Sequence, residues 1–363
     1  MKIRLLEELI ASHYRPEEYP ALYAQIGRWR TERPFQGRRI LDATPVFRNT
    51  CAKYLALLAG GAELSVGVSG KIPADPASTA LLKECGIPLR TPEEVTSGEF
   101  DVICDCCGCF AHAPGKFGNA ELTRSGITYY EKADFPVFFA DSGRIKILET
   151  ELGTGDGFSR ALTKLGYDDV AGKKFLIFGG GKVGRGVAFA LFRRGALPQV
   201  VEMPQRQCRR SYLHYIDLAD DAAIRRAIGE AWCIVTATGL AGAVEKFVSD
   251  MRNSSALIAN IGVEDEFGPS MPADRVLNRK APLNFLLDEP THLKYIDPTM
   301  ALDNLGAVSL LRGACRPGLN EPPLPLEQEI LEELRRFGCI REEMSALDPE
   351  LLHTENAPLP GAH

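Results

Sequence analysis

Short apolar runs and longer amphipathic stretches alternate along this chain. RRILDAT at 38–44, AELSVGVS at 62–69 and FDVICDC at 100–106 are short runs that end in polar or turn-forming residues, and they predict strands. Between them, NTCAKYLALLAGG (49–61) and STALLKECG (78–86) carry a helical pattern. Alternation of this kind predicts a parallel sheet, so residues 1–150 read as an α/β domain of their own. The pattern resumes with FLIF (175–178), PQVVEM (198–203), CIVTATG (233–239), ALIANIG (256–262) and LNFLL (283–287), each predicted as a strand of a second sheet. The opening MKIRLLEELIASHY reads as an amphipathic helix. Near the other end, PLEQEILEELRRFG sets Leu326, Ile330, Leu334 and Phe337 on one face for core packing.

The run FLIF leads directly into GGGKVGRG, and there the pattern gains chemistry. Gly179, Gly181 and Gly184 have the spacing G-x-G-x-x-G, followed by the helical VAFALFRRG. Strand, glycine turn and helix together open a dinucleotide-binding unit. Gly179 permits the turn, Gly181 lets a pyrophosphate approach the backbone, and Gly184 lets helix and strand pack closely. The helix N-terminus offers N–H groups and a positive dipole end to phosphates. Glu202, 18 positions after Gly184, ends the next strand. An acid there hydrogen-bonds the adenosine ribose and repels a 2′-phosphate, which favours NAD over NADP. Arg206, Arg209 and Arg210 nearby keep NADP open. In open parallel sheets ligands lie beyond the carboxyl ends of strands, and Thr236, Thr238, Asn260 and Gly262 stand at such ends.

Composition changes this picture little. The chain has 363 residues, 45% hydrophobic and 25% charged, with a net charge of −6. That length allows two domains, and the charge balance gives no reason to expect a nucleic-acid partner. Glu7 and Glu8 interrupt the apolar start, so neither a signal peptide nor a membrane span is expected. The ten cysteines are then expected reduced and the protein cytoplasmic.

The order of these motifs resembles the adenosylhomocysteinase (S-adenosylhomocysteine hydrolase) family from about residue 40 to 315. The resemblance rests on G-x-G-x-V-G-x-G at Gly179 to Gly186, VVE ending at Glu202, VTATG at 235–239, NIG at 260–262 and NLG at 304–306, with GGAELSVGVS, ECGIPL and ADS upstream. It implies two doubly wound parallel-sheet domains, a Rossmann NAD-binding domain inserted in a substrate domain. The expected boundaries are about 1–165 and 305–345 for the substrate domain and 166–304 for the NAD domain, with 346–363 as a tail. It also implies tightly held NAD and a homo-oligomer, here expected as a dimer. Lys182 and Val183 would face the pyrophosphate and Glu202 the ribose. Thr238, Ile261, Gly262 and Asn304 would surround the nicotinamide.

Departures from the family pattern gather in the substrate half. Where the family has a lysine and an aspartate, SGRIKILET places Ile145 and Glu149, with Lys146 one position away. The acid- and glycine-rich motif is here CDCCGC, in which Asp105 survives while Cys106 and Cys109 stand where acids would be expected. Val263 follows NIG, Leu311 stands in place of another histidine, and Phe47, Arg48 and Asn49 occupy the nucleoside-holding segment. The basic, tyrosine-bearing family tail is not seen in TENAPLPGAH.

Several residues keep two readings. Cys104, Cys106, Cys107 and Cys109 would be zinc-binding or nucleophilic thiols, or small buried side chains at a tight junction; no metal is expected. Asp105 is a base in an apolar cleft or a turn aspartate accepting backbone N–H groups. Lys146 and Glu149 are a solvated pair at helical spacing or cleft residues that take the carbinol proton. Arg48 is a carboxylate or phosphate clamp, or a surface arginine, and His292 is structural. The expected function is NAD-dependent hydride transfer at a carbinol or carbonyl of a small polar substrate, with Lys146, Glu149 and Asp105 converging in a cleft between the domains. The alternatives are a redox-neutral thioether or ether hydrolase or lyase that recycles bound NAD, and a catalytically silent NAD-binding regulator.

Overall fold

The computed structural model describes residues 2–347, which fall into two compact α/β units. The second is Glu149–His292, and the first is the chain on either side of it.

The first unit begins with α1 (Lys2–His13), which buries Leu6 and Ile10, and α2 (Pro20–Glu32). Strands β1 (Arg39–Asp42), β2 (Glu63–Gly67), β3 (Leu89–Arg90), β4 (Val102–Asp105), β5 (Asn119–Glu121) and β6 (Pro136–Phe139) follow, with α3 (Thr50–Ala59) and α4 (Pro76–Glu84) as crossovers. Two short turns, α5 (Ile127–Tyr130) and α6 (Ile145–Ile147), complete this first stretch. After the second unit the chain returns as α11 (Leu293–Leu311), β12 (Gly318–Asn320), α12 (Leu324–Phe337) and α13 (Arg341–Leu347). The sheet order is β12-β6-β5-β4-β1-β2-β3, with every ladder parallel. Succession runs outward through β2 and β3 on one side of β1 and through β4, β5 and β6 on the other, so the direction of winding switches between β1 and β4.

Helix α11 is buried along most of its length and packs on β4, β5 and β6. Lys53 of α3, fully buried, ion-pairs with Asp42 of β1 and Asp303 of α11, a charge cluster tying three elements together. Asp297 of α11 accepts from the backbone N–H groups of Ala21 and Leu22, satisfying the first turn of α2.

The second unit holds α7 (Thr154–Lys164), β7 (Lys174–Phe178), α8 (Lys182–Arg193), β8 (Leu197–Glu202), β9 (Tyr215–Asp217), α9 (Asp221–Glu230), β10 (Cys233–Thr236), α10 (Val248–Asn253) and β11 (Leu257–Asn260). Its five parallel strands run β11-β10-β7-β8-β9, so the winding switches between β7 and β10. Leu176, Phe178, Ile224, Ile234, Phe247 and Ile258 belong to its core.

The two parallel-sheet domains expected from the pattern are present. The units part at 148/149 and 292/293, whereas the sequence pointed to 165/166 and 304/305. Helix α7 belongs to the second unit because it packs on α8, where a Cβ at Gly155 would strike the Gly186 carbonyl. Helix α11 belongs to the first from its first residue. LNFLL is not a strand: Leu283–Leu286 form a 3-10 turn after Pro282, which lacks the N–H a ladder needs. On α12, Ile330 and Leu334 are buried as expected, but Phe337 is 59% exposed and the inward face is completed by Glu327 and Leu331. The expected tail lies outside the described residues apart from 346 and 347. No helix among the described residues is long and apolar enough to cross a membrane.

Candidate cofactor site and the cysteine loop

In the second unit, β7 delivers the chain to Gly179, whose φ of +100° is a conformation that a side chain disfavours. A Cβ there would also meet the Ala237 carbonyl across the switch point. Helix α8 starts at Gly181 without a side-chain cap. A Cβ at Gly184 would overlap the Gly179 carbonyl, whereas one at Gly181 would meet nothing within 4 Å. One glycine brings helix and strand together, and another leaves open space above the first helical N–H groups. Lys182 and Val183, both half-buried, form that first turn. Glu202 ends β8 and accepts from Gly180 N and Met203 N, both at 2.8 Å. Arg185 fixes the loop from beneath, donating to the Gly180 carbonyl and to Glu151.

Across the switch point, Thr238 and Gly262 lie on the loops after β10 and β11. Glu266 gathers them: it accepts from Thr238 N, Thr238 Oγ1 and Gly239 N, and its carboxylate packs against Gly262. Burial raises the Glu266 carboxyl above its ordinary range. Leu240 and Val263, on the same loops, expose apolar side chains. Ile261 is buried beneath them, and Thr236 is fully buried, its hydroxyl donating to Asn260. Thr236 therefore braces the strand ends and presents no hydroxyl at the surface. Asn304 is not in this unit: it is fully buried in α11, where its amide donates to Gln25.

In the first unit, Asp105 closes β4 and is 1% exposed. Its carboxylate accepts from Cys106 N, Phe110 N and Tyr130 Oη. This is the turn-aspartate arrangement. Burial outweighs those bonds and pushes its pKa up to about 6. Glu121, on neighbouring β5, accepts from Cys107 N, Gly108 N and Thr123, and burial pushes it above its ordinary range as well, with the charge of Asp105 acting in the same direction. Lys146 is 3% exposed and donates to the Leu122 carbonyl at 3.0 Å. It is not part of a solvated surface pair. Leu122 N in turn donates to the Asp105 carbonyl, so Asp105 and Lys146 meet at one residue. Glu149 is half-buried in the π-helical stretch Leu148–Gly153.

Cys104, Cys106 and Cys109 are buried, and Cys107 is partly exposed. The thiol of Cys104 clusters with Asp42 and Asp303, but Lys53 fills the place a cation would take. Arg48 donates to Tyr14 Oη, and His292 Nδ1 lies 3.9 Å from Asp156. Glu266, Glu121, Arg185 and Glu151 escaped the sequence reading. The only sequence signals for the first two are an acid four positions beyond NIG and the polar GNAELT.

A parallel α/β unit with a glycine turn and a strand-ending acid defines a Rossmann-type class of protein. No family model matches the chain. It is similar to the adenosylhomocysteinase of Thermoplasma acidophilum, 26% identical over 65% of this chain and 64% of the relative. The S-inosyl-L-homocysteine hydrolase of Methanopyrus kandleri is likewise 26% identical, over 68% of this chain and 64% of that one. The matched region thus spans less than two thirds of those relatives' own length. Among solved structures, a dipicolinate synthase polypeptide from Bacillus halodurans aligns with a TM-score of 0.52 and 12% identity, covering 76% of this chain and 99% of that one. At that identity the likeness speaks for the fold alone.

Proposed function

We propose that the chain is an enzyme that binds NAD on its second unit and transfers hydride at a carbinol or carbonyl carbon of a small polar substrate. The observation that carries this reading is the open space above Gly181, at an uncapped helix start, beside a glutamate already aligned by Gly180 N. These residues fit the cofactor. The N–H groups of Lys182 and Val183 would take the pyrophosphate, Glu202 the ribose hydroxyls, and Thr238 and Gly262 would border the ring. NAD, when bound, supplies the hydride acceptor. Lys146 is our choice to hold the carbinol proton, since its amine is buried at the carboxyl ends of β4 and β5, bonded to the Leu122 carbonyl. Asp105, with both carboxylate oxygens engaged, keeps the loop beside it in shape.

Titration of the purified protein with NAD and NADP tests the cofactor, and Lys146→Met tests the proton role. Turnover should vanish in that variant with NAD affinity unchanged. Equal affinity for both dinucleotides, or full turnover by Lys146→Met, would overturn the respective part.

The relatives favour a second reading, a hydrolase or lyase that returns the hydride to its own substrate. Reduced nicotinamide accumulating in proportion to product supports the dehydrogenase. Product forming with exchange of substrate hydrogen and no net reduced nicotinamide supports the recycler.

A further inference from the structure

The loop after β4 carries a second, independent chemistry. Cys107 has a φ of +59°, unusual for a residue with a side chain, and Gly108 follows at +63°. Two successive left-handed residues turn the chain out of the strand's alternation. Glu121 fixes the turn through both backbone N–H groups. The thiol of Cys107 then meets two groups able to donate to it, Ser125 Oγ at 3.3 Å and Cys106 Sγ at 3.8 Å, while Thr123 Oγ1, whose proton goes to Glu121, lies 3.7 Å away. A thiol offers one weak proton and needs no such cage, whereas a thiolate does. The loop also stands at the carboxyl end of a strand bordering the switch between β1 and β4, where open parallel sheets take ligands.

We propose that Cys107 is a nucleophilic thiolate whose substrate class is peroxides, with Cys106 as the thiol that captures the oxidised product. The Cys107 sulfur attacks one peroxide oxygen. The S–O bond forms as the O–O bond breaks, and the departing hydroxide takes a proton to leave as water. Cys106 Sγ then attacks the Cys107 sulfenic acid, forming S–S, breaking S–O and releasing a second water with its own proton. Two thiols are oxidised, and one hydrogen peroxide is reduced to two waters.

The electrostatics agree. The hydrogen bond from Cys106 leads the groups that lower the Cys107 thiol to about 6, with Ser125, Thr123 and the Lys146 ammonium adding to it against burial. The same contact raises Cys106, which keeps its proton. Lys71 on the loop after β2 interacts favourably with the Cys107 charge, while burial raises Cys109, with the charges of Asp105 and Cys107 adding to it. Asp105 and Glu121 are the acids facing the loop, and burial pushes both toward their neutral forms.

The test uses the reduced full chain and limiting iodoacetamide, with peptide mapping of all ten cysteines. Cys107 should label at least about tenfold faster at neutral pH than the exposed Cys339. Its rate should rise with a midpoint near 6, and Ser125→Ala should move that midpoint upward. Hydrogen peroxide should join Cys106 to Cys107 in the wild type, and in Cys106→Ser it should leave a sulfenic acid on Cys107 that dimedone traps. Labelling of Cys107 no faster than of Cys339, or an ordinary thiol midpoint, overturns the thiolate. Fast labelling with no dimedone adduct in Cys106→Ser overturns the peroxide assignment.

Discussion

The loops after β7 and β4 leave strands at the same kind of place, the point where a parallel sheet reverses its winding. They are built in opposite ways. The β7 loop is stripped of side chains: Gly179, Gly180 and Gly181 leave backbone N–H groups and open space, and Glu202 approaches from the neighbouring strand. The β4 loop is crowded. Asp105 and Glu121 turn inward to hold its backbone, and four sulfurs stand within six residues. A loop made of backbone suits a large, repetitive anion such as a dinucleotide. A loop made of side chains suits a small reactant met by one atom.

That contrast breaks most readily at Gly184. In Gly184→Val the new side chain collides with the Gly179 carbonyl and opens the helix–strand contact. Overpacking of this kind costs about 1–3 kcal/mol. Dinucleotide binding should be lost outright in titrations, because the loop that would receive it is displaced. Asp105→Ala acts on the other loop. It strips acceptors from Cys106 N, Phe110 N and Tyr130 Oη, and chemical denaturation should show a loss of about 3 kcal/mol with NAD affinity unchanged. Glu202→Ala is milder: calorimetry should show NAD weakened about tenfold, or about 1.4 kcal/mol, and NADP improved.

The smallest effect is a slope. Burial raises the folded-state Glu121 carboxyl above its ordinary 4.5. Between those values the folded chain binds more protons than the unfolded one, so this group's contribution to stability is full below 4.5 and is lost as pH rises through the folded value. Unfolding free energies measured across that window should decline, by at most about 1.4 kcal/mol per pH unit from one group. Glu121→Gln should flatten the decline. An unchanged slope would show that Glu121 is ionised in the folded state.

Strands written as apolar runs were legible: β1, β2, β4, β7, β8, β10 and β11 all stand where the hydrophobic pattern put them. Strands made by their neighbours were not. Asn119–Glu121 carries two polar residues, and it is a strand because β4 and β6 flank it on either side. LNFLL shows the converse, an apolar run that never meets a ladder. In the cofactor loop the glycine spacing was readable because sterics allow few substitutes there. Asn304, by contrast, lies buried inside helix α11, a setting its motif does not announce. The φ of Cys107 has no sequence signature, since it is held by bonds from its N–H to Glu121 and Thr123 on the neighbouring strand and loop.

The Lys53 cluster sets a schedule for biosynthesis. Its lysine and one aspartate are made early, but Asp303 emerges only after the whole second unit. Until then Lys53 lacks one of its two counter-charges, α2 lacks the acceptor at Asp297, and β6 has an open edge where β12 will pair. The contiguous second unit has everything it needs first, and domains fold as units as they are made. The half synthesised first is therefore the half finished last. Nascent chains stopped before residue 293 should be cut by protease within the first unit and protected within the second.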